Sequence, residues 1–314
     1  MQRLLYCIVF IFTLTTYAND KVDSYIGFPT AEVVNDYTTR IPFKLIDHLI
    51  VVEAELFDKK GNFIIDTGSE TLILNSVHFK KSSNEKITHG VNADIHSSVK
   101  HVNTFLLKNF ELRHTKSDVI DLSHIEKTKK MNLLGVIGHS VLKDFEIFID
   151  LYLNQITLTR VDKLGNRLDD NVYLEEITDS INFKLKKHTI VLNTEVNGVM
   201  LKMGLDSAAE YNQLNKKVSS KVLKNFFPSR KLKLSGASGK TVEVMAGKLF
   251  RVKLSDNVYF GPMQTVLANL KRMNEAFGTR LDGVLGYEFF KQKRTIINYK
   301  KRQLYFVKTP MPRQ

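Results

Sequence analysis

The chain has one cysteine, Cys7, and no Asn-x-Ser/Thr acceptor site. Cys7 lies in an apolar run at the start of the chain, so removal of that run leaves no thiol. Such a chain forms no disulfides and carries out no thiol chemistry, and its stability comes from burial alone. The missing acceptor site favours a bacterial envelope over a eukaryotic secretory route.

The first segment of the sequence, residues 1–18, has one arginine, then an apolar run from Leu4 to Leu14, and ends in Thr16-Tyr17-Ala18 before Asn19. This order is typical of a secretory signal peptide with cleavage after Ala18, and the run is too short for a spanning helix. We therefore predict an exported protein, periplasmic or secreted. A retained amino-terminal anchor is the alternative.

From Ile41 onwards, short β-branched and apolar runs alternate with turn signals, a pattern that predicts a mainly β fold. The strongest hairpin signal is Asn197-Gly198 between two valines, because Asn-Gly favours the turns that join antiparallel strands. Few helices are indicated, and all are short. They are predicted at residues 140–143, 214–226, 268–277 and 288–291.

A tandem repeat covers most of the chain. Two segments align without a gap at a shift of 140 and share twelve identical positions: residues 41–75 and residues 181–215. Two further segments correspond at a shift of 148: residues 134–139 and residues 282–287. Each copy therefore carries an acid-bearing turn followed by an apolar segment with glycine.

The acid of the first copy is Asp66, which follows the apolar residues Phe63 to Ile65. Three apolar residues in a row indicate a buried strand, and the next residues, Thr67-Gly68, predict a tight turn. A solvated turn carboxylate is the plain alternative. The repeat favours a function instead, because Asp206 occupies the equivalent place in the second copy.

These motifs resemble those of the aspartic peptidases, most closely bacterial-type chains with two retropepsin-like repeats. The resemblance runs from about Ile41 to Val307, and its most specific part is Asp66-Thr67-Gly68-Ser69. It implies a bilobal pepsin-like architecture of two retropepsin-like β-barrel repeats. The implied units are a first lobe at 41–161, a linker at 162–180 and a second lobe at 181–314. Residues 19–40 are a propeptide or, as we prefer, a strand that joins the lobes.

In that family each repeat supplies one catalytic aspartate, which implies Asp66 and Asp206 here. The turn residues that would support this dyad are Thr67, Gly68, Ser69, Ser207 and Ala208. By resemblance, Thr67 and Ser207 cross-link the two turns. Ala208 departs from the motif, which has glycine. A positive φ at this position would strain an alanine, whereas a negative φ would make it harmless.

Two stretches match the flaps that fold over the substrate in this family. They are His89-Gly90 in the first repeat and Gly236-Ala237-Ser238-Gly239 in the second. Small, glycine-rich tips suit a lid that opens and closes, and an ordinary mobile hairpin is the alternative. A nucleotide-binding loop is disfavoured, because two residues separate Gly236 from Gly239 where that motif needs four.

Other catalytic arrangements are poorly supported. Gly138-His139-Ser140 begins like a nucleophile elbow, but Leu142 stands where that motif closes with glycine. Several histidines are close in sequence, yet none has the i, i+4 spacing with an acid that marks a zinc helix. They are His89, His96, His101 and His114. We therefore predict no metal and no cofactor.

The formal net charge is +13 at pH 7, with basic runs at residues 184–187 and 300–302. No basic motif interleaved with aromatic residues is present, so we predict no nucleic-acid partner. The charge favours contact with an anionic membrane or cell-wall surface or with acidic substrates; solubility alone is the alternative. A monomer is expected, because the second repeat already supplies the partner acid.

The function that these features predict is that of an aspartic endopeptidase acting on a polypeptide substrate. Two carboxyl groups at roughly 3 Å cannot both ionise cheaply, so they share one proton. The ionised member draws a proton from a water that attacks the peptide carbonyl, and the protonated member donates to the carbonyl oxygen. The alternative is a catalytically weak or inactive protease-like protein of the envelope that binds peptides or serves as a scaffold.

Overall fold

The structure is a computed structural model that describes residues 28–81, 85–89, 94–108, 110–170, 172, 176–235 and 241–310. Strands contain 55% of the described residues and helices 11%, so this part of the chain is mainly β, as the sequence predicts. The predicted signal peptide lies outside the described residues. None of the helices in these ranges has the length and apolar character needed to cross a bilayer.

The strands up to residue 160 are, in chain order, β1 (Glu32–Asn35), β2 (Thr38–Pro42), β3 (Lys44–Ile46), β4 (Leu49–Leu56), β5 (Lys59–Ile65), β6 (Leu72–Asn75), β7 (Glu85–His89), β8 (Asp94–Leu107), β9 (Phe110–Ile120), β10 (Leu133–Ile137), β11 (Phe145–Asp150) and β12 (Gln155–Arg160).

The later strands are β13 (Ile177–Asn182), β14 (Lys184–Lys186), β15 (Thr189–Val196), β16 (Val199–Leu205), β17 (Asn212–Asn215), β18 (Phe226–Ser235), β19 (Thr241–Leu249), β20 (Val252–Lys253), β21 (Tyr259–Phe260), β22 (Met263–Ala268), β23 (Gly283–Leu285), β24 (Arg294–Asn298) and β25 (Gln303–Val307). The described helices are α1 (Ser123–Lys129), α2 (His139–Leu142), α3 (Ser220–Leu223), α4 (Lys271–Phe277) and α5 (Tyr287–Gln292).

Each repeat forms a sheet of its own, and the two sheets have the same central arrangement. In the first, the strand order is β3-β4-β5-β10-β6-β9-β8-β7. In the second, it is β18-β19-β22-β17-β23-β16-β15-β20-β21, with β14 paired to β15. In both sheets the apolar-glycine strand pairs in parallel with the strand that precedes the acid, β10 with β5 and β23 with β16. The sequence repeat is therefore a structural repeat.

A third sheet is built from both repeats. Its order is β1-β2-β12-β11-β24-β25-β13, and the repeats meet where β11 pairs with β24, with Ile147 opposite Ile297. The described part of residues 19–40 forms β1 and the start of β2 at one edge of this sheet. At the other edge β13 begins at Ile177, within the predicted linker. The largest apolar cluster likewise contains residues of both repeats, among them Phe145 and Phe306.

The predicted hairpin at Asn197-Gly198 is confirmed, because it joins β15 to β16 with φ values of 52° and 73°. Both residues have positive φ, as the type I′ turn requires. The prediction of a helix over 214–226 is wrong for most of its length. Leu214 lies in β17, only 220–223 are helical, and β18 begins at Phe226. Pairing of β17 with its neighbours in the sheet overrides the local helical pattern.

Helix α1 was not predicted from the sequence. None of its residues is buried, so it has no apolar stripe at helical spacing that a sequence pattern would show. The other short helices agree with the predictions: α2 and α5 lie at residues 139–142 and 287–292, and α4 covers most of 268–277.

Candidate active site

Asp66 and Asp206 stand at equivalent points of the two repeats, one residue beyond the ends of β5 and β16. The Asp66 N–H donates to the carbonyl of Ile137 at 3.0 Å, and the Asp206 N–H donates to the carbonyl of Leu285 at 2.9 Å. Each acceptor is the last residue of the apolar-glycine strand of the same repeat. The pairing with β10 or β23 therefore fixes the position of each acid at the edge of its sheet.

The structure brings these two acids together. A hydrogen bond joins their carboxyl groups, and both residues are partly exposed, whereas the next residues in the chain, Thr67 and Ser207, are buried. A Cβ atom built on Gly68 would lie 2.7 Å from Cγ of Asp206. Glycine is thus required at position 68 by the approach of the opposite carboxyl group.

The hydroxyls of Thr67 and Ser207 cross-link the turns in a nearly symmetric way. The Thr67 N–H donates to Ser207 Oγ and the Ser207 N–H donates to Thr67 Oγ1, each at 3.0 Å. The Ser207 hydroxyl then donates to the carbonyl of Ile65 at 2.8 Å, and that of Thr67 to Leu205 at 3.4 Å. These bonds tie each turn to the strand of the other repeat, and so they hold the two acids at a fixed separation.

Backbone N–H groups orient both carboxyl groups. Oδ1 of Asp66 accepts from Gly68 at 2.7 Å and from Ser69 at 2.9 Å. Oδ1 of Asp206 accepts from Ala208 at 2.8 Å. The Ser69 hydroxyl donates to the carbonyl of Thr71, so Ser69 contacts the dyad through its backbone. Each turn therefore directs its carboxyl group with its own peptide N–H groups.

The pKa values of both acids are raised. Removal of surrounding water is the largest cause for Asp66, followed by the charge of Asp206 and the hydrogen bond to it, and together they put the pKa of Asp66 well above its ordinary value. Removal of water also raises the pKa of Asp206, against the N–H bond from Ala208 and the hydrogen bond from Asp66. Two carboxyl groups this close titrate as a coupled pair rather than as independent acids.

Ala208 fits its place without backbone strain. Its φ is not positive, and neither is that of Gly68, so the turn does not need the left-handed conformation that favours glycine. The Ala208 side chain is partly buried against an apolar cluster of the first repeat that includes Ile64 and Val136. The departure from the motif at this position therefore has no backbone cost.

The predicted flap tips fall mostly outside the described residues. His89 ends β7, opposite Asp94 of β8, and Gly90 lies outside the described ranges. In the second repeat β18 and β19 pair up to Ser235 and Thr241, and the tip between them, Gly236-Ala237-Ser238-Gly239, is outside as well. In both repeats the predicted flap is therefore flanked by two antiparallel strands.

Sequence reasoning missed two histidines that each contact a residue of the other repeat. His48 lies in the turn between β3 and β4, and His188 in the equivalent turn between β14 and β15. The His48 ring stacks on Tyr287 with 4.2 Å between ring centres. His188 Nδ1 lies 3.7 Å from Glu70 Oε2. A signal was present, since both histidines belong to the twelve identical positions of the repeat.

No group of three or more His, Cys, Asp or Glu side chains within the described ranges is arranged to hold a metal ion. Comparison of the chain with models of protein families gives no match. Comparison with curated proteins gives none either.

Proposed function

We propose that this protein is an aspartic endopeptidase in which Asp66 and Asp206 activate a water molecule for attack on a peptide bond. The observation that carries the proposal is the pair of hydrogen-bonded carboxyl groups, one from each copy of a repeated turn, with raised pKa values and an accessible face. Two carboxyl groups that share one proton are a general acid and a general base in the same place.

The three sheets support the same proposal at the level of architecture. We infer that the two repeat sheets are the lobes of a bilobal pepsin-like molecule with retropepsin-like repeats. The sheet that contains strands of both repeats would then be the platform that joins the lobes, and the dyad would lie at their junction. The hairpins β7–β8 and β18–β19 would carry the two flaps.

In the proposed mechanism one of the two acids is ionised and acts as the base, and the other is protonated and acts as the acid. Asp206, ionised, takes a proton from a water held between the carboxyl groups, and the resulting nucleophile attacks the peptide carbonyl. Asp66 gives its proton to the carbonyl oxygen, which avoids a free oxyanion and leaves a tetrahedral diol. Asp206, now protonated, gives its proton to the amide nitrogen as the C–N bond breaks, and Asp66 takes back a hydroxyl proton as the carboxylic acid product forms. The Thr67–Ser207 cross-link keeps the two groups at the separation that this transfer needs. General acid-base help of this kind contributes roughly 10² to 10⁴ in rate per group.

Cleavage of an unfolded protein between acid and neutral pH tests the proposal, with and without a statine-type inhibitor. We expect cleavage that the inhibitor blocks and that is lost in Asp66→Asn and in Asp206→Asn. The matched control is Asp162→Asn, because Asp162 also accepts turn N–H groups but lies on the surface, away from the dyad. This variant should cleave like the wild type.

Full activity in either dyad variant would disprove the shared mechanism. No cleavage by a folded wild-type chain would favour the protease-like envelope protein that binds peptides without cutting them. We further propose export to the bacterial envelope, a polypeptide substrate, and attraction of the basic chain to an anionic membrane or cell-wall surface.

A further inference from the structure

A buried histidine lies beside the dyad and has no part in the mechanism above. His188 is 3% exposed, and neither of its ring nitrogens makes a hydrogen bond of good geometry within the described residues. The edge of its ring meets Phe277 of α4, with 5.7 Å between ring centres. A buried imidazole without well-formed hydrogen bonds is rare in folded proteins and calls for an explanation.

The surroundings of His188 come from both repeats. The carboxylate of Glu70, four residues after Asp66, lies 3.7 Å from Nδ1 and is 68% exposed. Loss of water has the largest effect on the pKa of His188 and lowers it, and the charge of Lys187 lowers it further; Glu70, the backbone of Gly68 and Asp206 act in the opposite direction without compensating. His139 of α2 is a further titratable neighbour, whose own pKa is lowered by the charge of His188. Protonation of His188 would turn its 3.7 Å contact with Glu70 into an ion pair between the repeats.

The repeat partners of His188 and Glu70 are His48 and Glu210, and they make different contacts. There Glu210, the repeat partner of Glu70, pairs with Lys129 of the first repeat at 2.6 Å. His48, the partner of His188, is held by the Glu210 carbonyl at 3.2 Å and by stacking on Tyr287. One half thus has an ion pair between repeats whose cation is a lysine. The other half has an ion pair that needs a protonated histidine.

We propose that His188 is a positioning residue of the active site: when protonated, it pairs with Glu70 across the repeats and favours the ionised form of Asp206. The inference rests on the proposed peptidase function. Its physical basis is reciprocal, because ionised Asp206 favours protonated His188, and protonated His188 must favour ionised Asp206 to the same degree.

The pairing is tested without substrate by following the histidine ring signals of the whole protein by NMR between pH 3 and pH 8. The His188 signal is identified by its absence in His188→Gln. We expect the pKa of His188 to fall in Glu70→Gln and in Asp206→Asn, because each removes a negative charge that favours the protonated ring. An unchanged pKa in both variants would overturn the proposal.

The effect on catalysis is tested by the pH profile of kcat/KM. In His188→Gln we expect the acid limb to move to higher pH while the alkaline limb stays in place, since Asp206 loses a cation that lowers its pKa. Glu70→Gln should move the same limb in the same direction, by less. The matched control His48→Gln should leave both limbs unchanged.

A His188→Gln profile that superimposes on that of His48→Gln would also overturn the proposal. A purely structural role would lower kcat/KM at every pH without moving one limb. If the wild type cleaves nothing at any pH, the peptidase function fails, and the NMR titration still decides whether His188 pairs with Glu70 and Asp206.

Discussion

At the scale of single residues, the dyad is built from two turns that are equivalent in the repeat but not identical in chemistry. Gly68 has no room for a side chain, because a Cβ atom there would meet the Asp206 carboxyl group at 2.7 Å. Ala208 carries its methyl group against an apolar cluster of the first repeat. The same motif position thus excludes a side chain in the first turn and accommodates a methyl group in the second.

Substitutions at this position are expected to have unequal effects. Gly68→Ala should reduce the proposed peptidase activity by at least about 100-fold, because the methyl group displaces the Asp206 carboxyl group by more than catalytic geometry tolerates. Ala208→Gly should retain most of the activity and lower the free energy of unfolding by only about 0.5–1 kcal/mol, through greater freedom of the unfolded chain. Activity assays and urea unfolding of both variants measure the contrast, and equal losses would contradict it.

The raised pKa of Asp66 also predicts a pH-dependent effect on stability. A carboxyl group whose pKa is higher in the folded state contributes stability below its ordinary pKa, and that contribution is lost as pH rises through the folded pKa. Asp66→Asn should therefore raise the melting temperature at pH 7, and its advantage should shrink as the pH falls toward 4.

Asp162→Asn is the control, and it should change the melting temperature at pH 7 in the opposite direction. Turn N–H bonds, chiefly from Asn166, lower the pKa of Asp162. Its carboxylate therefore stabilises the fold at pH 7, and that stabilisation disappears in acid. Thermal melts of the two variants over this pH range should diverge from the wild type in opposite directions at pH 7. A destabilised Asp66→Asn variant at pH 7 would contradict the assignment.

At the scale of elements, the acid turns are supported by the segments that follow β10 and β23. The strands β10 and β23 lie between the two strands that flank each acid turn, parallel to one and antiparallel to the other. Gly138 and Gly286 come directly after them. A Cβ atom would lie 2.3 Å from the Thr71 carbonyl oxygen in the first case and 2.2 Å from that of Ala209 in the second.

Gly138→Ala and Gly286→Ala are therefore expected to destabilise the protein by about 1–3 kcal/mol, because rigid backbone must move to admit the methyl group. The control is Gly204→Ala, where the nearest atom is the end of the flexible Leu281 side chain at 2.9 Å. Urea unfolding should rank this control as the mildest of the three. Equal stability of all three variants would show that the contact between the added methyl group and the backbone does not determine the loss of stability.

At the scale of the whole molecule, a buried ion pair fastens the two repeats where β11 and β24 meet. The Arg294 guanidinium donates to Asp150 Oδ2 at 2.6 Å and 3.0 Å, and to the carbonyl of Lys308 at 2.8 Å. The side chains are 4% and 1% exposed. Asp150 Oδ1 accepts the N–H groups of Tyr152 and Leu153. The pair thus joins a strand end of one repeat to a strand start of the other.

Arg294→Met should lower the free energy of unfolding by about 3–5 kcal/mol, because it leaves Asp150 as an uncompensated buried charge. The double variant Asp150→Asn/Arg294→Met should recover part of this loss, since no unpaired charge remains. Urea unfolding of the single and double variants measures both effects. A double variant that is less stable than Arg294→Met would contradict the explanation.

Much of the fold was predictable because its signals are local. Alternating apolar runs indicated the strands, and Asn197-Gly198 indicated a hairpin that the structure contains. The repeat placed Asp66 and Asp206 at equivalent points. Helix α1 was missed, because a helix with no buried residue has no apolar stripe in its sequence. The strand at Leu214 was wrongly predicted to be helical, because pairing within the sheet overrides the local sequence pattern.

The sequence by itself determined that two acids follow two buried strands in a duplicated unit, since identity and spacing are properties of the chain. Only the tertiary structure decided that the carboxyl groups of Asp66 and Asp206 lie next to each other, that Ala208 is unstrained, and that His188 faces Glu70. Distances across the junction of the repeats and the φ angle of a turn depend on how the two copies pack. Packing depends on many weak contacts between residues far apart in sequence, so it cannot be predicted from any single stretch of the sequence.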